Sequence, residues 1–253
     1  MPGALPTTVV IGAMKCGTSA LSRYLDLHPE VAMAAAKEVN FFFGPDSEDD
    51  DAGAGLDAGL GTWRTGHWRR GTRWYASNFD ATARVRGEAS PGYTSPDHPH
   101  VPRRMAATIP EARLVYLVRE PADRALSHYE HHAREGAERR PVEQAVLDPA
   151  SQYLARSRYF ERLAPFLEVF PSEQILVVVS ERLLHDRRGQ LERVFAHVGA
   201  DPDWWDERLQ QRVNVGTGTR VPSALRGALT AQVADDTARL AGYLGDDLPE
   251  WSR

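Results

Sequence analysis

Residues 9–20, which read VVIGAMKCGTSA, constrain the fold of this chain more than any other segment. The apolar start predicts a buried strand, a turn bounded by glycines holds Lys15, and Thr18 and Ser19 open an amphipathic stretch. A strand, a loop and a helix in this order direct backbone N–H groups and the positive end of a helix dipole at one point, which favours a bound phosphate or a similar anion. In a Walker loop the lysine follows the last glycine and directly precedes Ser or Thr. Here Lys15 precedes Gly17, so the segment is not a standard ATP or GTP loop.

The rest of the sequence indicates that this segment opens a three-layer α/β domain. Strands are predicted over residues 8–12, 31–34, 84–89, 114–118 and 175–179, and helices over residues 18–27, 122–134, 159–170, 183–198 and 223–244. Strands that alternate with helices favour a central parallel sheet flanked by helices, a P-loop-like fold that binds ligands at the carboxyl ends of its strands. The 253 residues are enough for one such fold with a full core, and we expect a single domain over residues 1–253.

Composition and charge argue against several classes of protein. The net charge of -5 does not suggest a nucleic-acid-binding protein, and no apolar run approaches the roughly 20 residues that cross a bilayer. The first residues lack the basic and apolar pattern of a signal peptide. Cys16 is the only cysteine, so no intrachain disulfide can form, and we expect a reducing compartment, the cytoplasm. The sequence leaves the oligomeric state open.

Several segments of the chain resemble, in order, those of a known family. The order Lys-x-Gly-Thr-Ser at residues 15–19 resembles the 5′-phosphosulfate loop of sulfotransferases that use 3′-phosphoadenosine 5′-phosphosulfate (PAPS). Further matching segments are KEVNFF at residues 37–42, GTRWY at 71–75, GEASPGY at 87–93 and RLVYLVREP at 113–121, the last continuing to residue 127. The resemblance is to heparan-sulfate-type and bacterial sulfotransferase domains and covers roughly residues 7–222. It implies PAPS as the co-substrate, 3′-phosphoadenosine 5′-phosphate (PAP) as the product, and no metal.

The resemblance assigns most candidate residues to the co-substrate. Lys15 and the backbone that follows it would hold the phosphosulfate and stabilise charge on the leaving oxygen. Arg119 and Ser127 would hold the 3′-phosphate, and Tyr159 matches a position of the adenosine pocket, with a core tyrosine as the equal alternative. The expected co-substrate contacts are Lys15, Cys16, Gly17, Thr18, Ser19, Ala20, Arg119, Ser127, Tyr159, Thr217, Gly218, Thr219 and Arg220.

The glycine-rich loop at residues 214–222 is expected to complete this site, although it departs from the family. The heparan sulfate group carries a Lys-Gly pair where this chain has Thr217-Gly218, so Arg220 would have to supply the missing charge. The loss of the lysine leaves open a non-catalytic nucleotide- or glycan-binding module. The retained Lys15 and Glu38 favour an enzyme.

The acceptor side depends on a group that removes a proton from the acceptor. Glu38 is the candidate base, with Glu88 in reserve, and Glu38 and Lys15 form the predicted catalytic pair. The expected acceptor contacts are Lys37, Trp74, Glu88 and Tyr93. A segment rich in Asp, Gly and Ala predicts a mobile acceptor-side insertion at about residues 44–70. We expect the acceptor to be a hydroxyl or amine of a small molecule, a lipid or a glycan.

Two alternatives concern the neighbourhood of the phosphate loop. A nucleotide or small-molecule kinase would share the sheet and the loop, but it needs a carboxylate that holds Mg²⁺. The strand at residues 114–118 ends instead in Arg119, which favours phosphate binding. For Cys16 two interpretations are open. It is either an exposed thiol whose pKa the loop lowers, or a small buried residue behind the loop.

Overall fold

The computed structural model of the protein describes residues 3–44, 66–211 and 222–251. Its centre is a five-stranded sheet in the order β2-β3-β1-β4-β5, in which every neighbouring pair is parallel. The strands are β1 Thr8–Gly12, β2 Val31–Met33, β3 Val85–Ala89, β4 Arg113–Val118 and β5 Ile175–Val179. The parallel α/β fold expected from the sequence is confirmed.

Helices connect the strands and pack on the sheet. They are α1 Thr18–Leu27, α2 Gly71–Ala76, α3 Val101–Thr108, α4 Pro121–Arg134, α5 Val142–Val146, α6 Gln152–Ala155, α7 Tyr159–Leu167, α8 Ser180–His185, α9 Arg187–Val198, α10 Ser223–Gln232 and α11 Ala234–Leu244. Among the described residues no helix is both long and apolar enough to span a bilayer.

Two long helices of the sequence prediction are each divided in the structure. The backbone of Asp186 leaves the helical region at φ -126°, and its side chain accepts the N–H of Gly189, which caps α9. Val233, at φ -118° and without a capping side chain, separates α10 from α11. The predictions of one continuous helix at residues 183–198 and another at residues 223–244 were therefore wrong. The apolar period of 3.6 residues continues across a local break in the helix, so the pattern does not reveal the break.

The hydrophobic core and the parallel strands bring the candidate site residues to one edge of the sheet. All five residues of β1 are buried, and the main hydrophobic core packs around β1 and β4. A second apolar cluster, formed by residues of α4, α5, α6 and α10, fixes α4 beside the end of β4. Because the strands are parallel, the loop after β1, Ser90 after β3 and Arg119 after β4 all lie at the carboxyl edge.

Candidate active site

The loop after β1 leaves backbone donors at the start of α1. The backbone is left-handed at Lys15 (φ 71°) and Gly17 (φ 89°), which turns the chain from the strand into the helix. Gly17 precedes the helix and no side chain caps it. The N–H groups of Thr18 and Ser19, in the first helical turn, therefore have no intrahelical partner. This end of α1 can bind an anion such as a phosphate or a sulfuryl group.

Two other N–H groups of this segment are used by the loop itself. Cys16 donates to the carbonyl of Ala13 at 3.1 Å, and Ala20 donates to the carbonyl of Gly17 at 3.0 Å. Both bonds stabilise the turn. They engage the N–H groups of Cys16 and Ala20 within the turn, and the contacts of these two residues with the phosphosulfate stay predictions.

Lys15 is half-buried beside other cations. Burial lowers the pKa of its ammonium, and the charges of Arg134 and Arg119 lower it further, while Glu135 opposes them. Within the described residues no acidic side chain forms an ion pair with Lys15. The loop therefore combines helix N–H groups with a cation that has no ion-pair partner in the part of the chain that the structure describes, and together they favour an anionic ligand.

Arg119 and Ser127 lie after β4, as their sequence positions predict. Arg119 follows the strand directly, and Ser127 lies in the second turn of α4. Both are half-buried. The Arg119 guanidinium is 3.7 Å from the carboxylate of Asp123, a helix neighbour with which it forms a partly exposed ion pair. A pair of this kind is weak, so Arg119 is available to a stronger anion.

Tyr159 and Cys16 connect the phosphate loop to the end of β4 from inside the core. The Tyr159 hydroxyl donates to the carbonyl of Arg119 at 2.7 Å and lies 3.5 Å from the Cys16 Sγ. Tyr159 is 0% exposed and Cys16 1%. Tyr159 is thus a core tyrosine in this structure. Burial raises the pKa of Cys16 to about 11, so the interpretation of an exposed, acidic thiol is wrong.

Glu38 shares a cavity with the start of α1. The cavity has a volume of about 210 Å³ and is lined by Thr18, Ser19, Ser22, Arg23, Asp26, Met33, Ala34, Ala35, Ala36, Lys37, Glu38, Glu88, Ala89 and Pro91. Burial raises the pKa of Glu38, and the nearby Lys37 opposes that shift. The Glu38 carboxylate accepts no hydrogen bond from the described residues. As far as the described residues go, its lone pairs are therefore available to take a proton from a ligand in the cavity.

Glu88, the reserve candidate, is placed differently although it borders the same cavity. It is 1% exposed, and its carboxylate accepts hydrogen bonds from the hydroxyls of Tyr75, Ser90 and Tyr93. Burial raises the pKa of Glu88, and these three hydrogen bonds oppose the shift. Tyr93 is buried too, and its hydroxyl donates to Glu88, so the polar atoms of these two residues are engaged with each other.

Trp74 lies in α2, where His67 and Arg70 pack on its ring. The His67 ring lies 4.6 Å from that of Trp74, and the Arg70 guanidinium lies 4.2 Å from it. The Nδ1 of His67 bonds the carbonyl of Val39 at 2.9 Å, next to Glu38. Sequence position does not place His67 beside Val39 and Glu38, because only the fold brings these residues together.

Arg124, which lies in the segment that resembles the 3′-phosphate site, is a buried cation. It is 0% exposed and donates to the hydroxyl of Ser157 and to the carbonyl of Tyr153. It joins α4 to α6 and the turn after it, behind Arg119. The resemblance of this segment to a phosphate site favours a cation here, but it does not distinguish a buried arginine from an exposed one.

Other expectations fall outside the residues that the structure describes. Thr217, Gly218, Thr219 and Arg220 belong to residues 212–221, and most of the expected acceptor-side insertion belongs to residues 45–65. In residues 3–44, 66–211 and 222–251 no group of three or more His, Cys, Asp and Glu side chains could hold a metal ion.

Comparison with known proteins gives consistent matches. The family model described as "Sulfotransferase family" matches residues 6–207. Human heparan sulfate glucosamine 3-O-sulfotransferase 5 is 31% identical over 212 residues, which cover 78% of this chain and 54% of that protein. The bifunctional heparan sulfate N-deacetylase/N-sulfotransferase 1 of Caenorhabditis elegans is 28% identical over 196 residues, or 71% of this chain and 20% of that protein. The chain thus spans about half or less of the length of these relatives.

A solved structure matches the whole fold. A sulfotransferase from Alicyclobacillus acidocaldarius superposes with a TM-score of 0.77 at 28% identity, covering 99% of this chain and 100% of that one. The sulfotransferase domain from the curacin biosynthetic pathway superposes with a TM-score of 0.56 at 14% identity, which is a likeness of fold alone.

Proposed function

The chain belongs to the sulfotransferase family, and we propose that it is a single PAPS-dependent sulfotransferase domain. It moves the sulfuryl group of PAPS to a hydroxyl or amine of an acceptor and releases PAP. The observation that carries this proposal is the cavity that the N-terminal turn of α1 and Glu38 both border. A group held at the start of α1 and an acceptor beside Glu38 can therefore meet.

The co-substrate fits the donors at the carboxyl edge of the sheet. Thr18 and Ser19 offer helix N–H groups to the 5′-phosphosulfate, and Lys15 supplies a positive charge with no ion-pair partner among the described residues. Charge grows on the bridging oxygen as the sulfur–oxygen bond breaks, so a cation at that oxygen favours the transition state. Arg119 and Ser127 take the 3′-phosphate, which displaces Asp123 from the guanidinium.

Glu38 acts as the general base. The acceptor oxygen or nitrogen forms a bond to sulfur, the bond from sulfur to the phosphate oxygen breaks, and the proton of the acceptor passes to the Glu38 carboxylate. A raised pKa suits this role because it makes the carboxylate a stronger base at the same position. Lys37, at 3.9 Å, keeps part of the site positive.

The walls of the cavity suit a compact acceptor. One wall is a polar stripe of α1 that includes Ser22, Arg23 and Asp26, and the other is the small apolar run Ala34, Ala35 and Ala36. We propose a small molecule, a lipid headgroup or a terminal sugar of a glycan as the acceptor. The matched relatives named for heparan sulfate support a glycan, whereas the small volume of about 210 Å³ supports a short one.

Further parts of the proposal concern the setting of the enzyme. We propose a bacterial-type enzyme, supported by the match to the full length of the Alicyclobacillus acidocaldarius structure. A reducing, cytoplasmic compartment is supported by the single cysteine, which is buried and unpaired. The transfer needs no metal, since Lys15 and the helix N–H groups supply the positive charge that a metal ion would otherwise provide.

Ligand binding and transfer test the proposal together. Calorimetry should show that PAP binds tightly and that ATP with Mg²⁺ binds weakly, and a pool of acceptors with labelled PAPS should yield a labelled product. Tighter binding of ATP would indicate a kinase instead. Tight PAP binding with no transfer to any acceptor, and no hydrolysis of PAPS, would indicate a non-catalytic binding module.

A substitution at the base separates binding from chemistry. Glu38→Gln keeps the shape of the side chain but cannot accept the proton, so transfer should be abolished while the affinity for PAP stays near that of the wild type. Glu173→Gln, at an exposed glutamate just before β5 and outside the residues that line the cavity, is the matched control for loss of one negative charge. It should retain transfer.

A further inference from the structure

We infer that Glu88 is a positioning residue, which holds Glu38 in place through the hydroxyls of Ser90 and Tyr93. The inference rests on the proposed function, in which Glu38 is the base. It concerns a buried carboxylate that the proposed chemistry does not use.

Three hydroxyl groups converge on the carboxylate of Glu88. Ser90 donates to Oε2 at 2.7 Å, Tyr93 donates to Oε1 at 2.9 Å, and Tyr75 also donates to Oε1. Every one of these four side chains is buried, with an exposure of 1% or less. A buried carboxylate is costly unless hydrogen bonds compensate its charge, and here three do.

The same hydroxyls hold the backbone that follows Glu38. A hydroxyl has one proton to donate. Ser90 and Tyr93 donate theirs to Glu88, so the oxygen lone pairs of these two side chains remain available to accept hydrogen bonds from other groups. The N–H of Asn40 donates to the Ser90 Oγ at 3.1 Å, and the N–H of Phe41 donates to the Tyr93 Oη at 2.9 Å. Glu88 thus orients the hydroxyls of Ser90 and Tyr93, and these hydroxyls accept hydrogen bonds that hold the backbone of residues 40 and 41 in place.

A third contact brings Tyr75 to the same segment. Its ring stacks on that of Phe41 with centroids 4.2 Å apart and planes 7° apart. The Tyr75 hydroxyl is bound to Glu88, so the carboxylate also fixes the plane on which Phe41 packs. Each of the three side chains that donate to Glu88 therefore also contacts residue 40 or residue 41.

The backbone around Glu38 needs such support. Glu38 has φ 59° and Asn40 has φ 49°, a left-handed conformation that residues with a Cβ adopt rarely. Two such residues within three positions persist only where tertiary contacts maintain them. If the contacts to residues 40 and 41 are lost, the segment can relax and the Glu38 carboxylate moves away from the start of α1.

The test uses amide exchange and kinetics on the same four variants. Ser90→Ala and Tyr93→Phe each remove one hydroxyl, and Glu88→Gln and Glu88→Ala change the acceptor of all three. Tyr116→Phe is the matched control, since Tyr116 is a buried tyrosine of β4 whose hydroxyl has no partner within the described residues. Amide exchange is read by mass spectrometry on peptides covering residues 38–43, with those of α1 as the internal reference.

Exchange at residues 40 and 41 should accelerate in all four variants and stay unchanged in Tyr116→Phe and in α1. Turnover, kcat, should fall by about 10- to 100-fold because a small displacement of a catalytic group is costly, while the affinity for PAP stays near the wild-type value. Glu88→Gln should retain more kcat than Glu88→Ala, since the amide keeps an oxygen for the tyrosine hydroxyls.

Three results would overturn the inference. Unchanged exchange at residues 40 and 41 in Ser90→Ala and Tyr93→Phe would show that the hydroxyls do not hold the segment. A loss of transfer as complete in Glu88→Gln as in Glu88→Ala, without faster exchange, would make Glu88 the base itself. Faster exchange at residues 40 and 41 together with a wild-type kcat would show that this segment does not position Glu38. If the wild type binds no PAP and transfers nothing, the proposed function fails, while the exchange data still decide whether Glu88 holds the segment.

Discussion

The ammonium of Lys37 lies 3.9 Å from the Oε1 of Glu38, and both side chains border the cavity beside the start of α1. These two residues have opposite effects on the proposed base. Burial raises the pKa of Glu38, and the charge of Lys37 lowers it. The balance between them sets the pH at which the carboxylate can accept a proton.

This balance predicts how the rate depends on pH. As the proposed base, Glu38 would be active when deprotonated, so kcat/KM should fall as the pH falls through its pKa, which burial raises above the ordinary value of a glutamate. Lys37→Ala removes a charge that lowers this pKa, so the acid limb of the profile should move to higher pH. Lys37→Arg keeps the charge and serves as the control. An acid limb at the same pH in Lys37→Ala and the wild type would show that Glu38 is not the titrating group.

Lys15 should act on the transition state more than on binding. Lys15→Ala removes the cation proposed to meet the leaving oxygen, and kcat should fall by about 100-fold or more, equivalent to about 3 kcal/mol. The affinity for PAP should change much less, because charge on that oxygen grows only as the bond breaks. Since Lys15 already carries a Cβ at φ 71°, alanine adds no new backbone strain. A similar loss in kcat and in PAP affinity would make Lys15 a binding residue.

Gly17 gives a prediction that separates the strain of a substitution from its effect on the ligand. Gly17 has φ 89° and open space for a Cβ, with only Leu117 at 4.0 Å, so Gly17→Ala should cost about 1–2 kcal/mol of unfolding free energy through backbone strain alone. Gly199, at φ 85° after α9, offers the same test far from the loop. Both variants should lose similar stability in chemical denaturation.

Only one of the two glycine variants should lose affinity for PAP. The turn at Gly17 directs the first N–H groups of α1, so its distortion should weaken PAP binding in calorimetry. Gly199→Ala should bind PAP as the wild type does. Equal affinities in the two variants would show that the N–H groups of α1 do not hold the ligand.

The sequence predicted the frame of the site well and its internal contacts poorly. The bounds of β1, α1 and β5 agree with the prediction residue by residue. Each element is an apolar or amphipathic run, and a Gly, Pro or Ser close to its end marks where it stops. Parallel strands then place the phosphate loop and Arg119 at one edge, as topology alone requires. These features depend on short-range patterns.

The roles of Glu38 and Glu88 could not be separated in this way. Both are acidic residues close to strand ends, and the sequence does not show which is exposed to a ligand. The hydrogen bonds that engage Glu88 lead through Ser90 and Tyr93 to residues 50 and 52 positions earlier in the chain. Contacts at that separation, and left-handed backbone at Glu38, arise only from the packing of the whole fold.

Cys16 provides the last prediction, which needs no knowledge of the acceptor. Its Sγ faces the core and lies 3.5 Å from the Tyr159 hydroxyl, and burial raises its pKa to about 11. Because only the thiolate reacts and its fraction is small at neutral pH, a thiol reagent should label the native protein slowly. Labelling should become rapid in denaturant, and the rate in the native state should be unaffected by PAP. Cys16→Ala removes a small buried side chain, so it should lower stability modestly and retain transfer. Rapid labelling of the native protein that PAP blocks would place the thiol on the ligand side of the loop and contradict this arrangement.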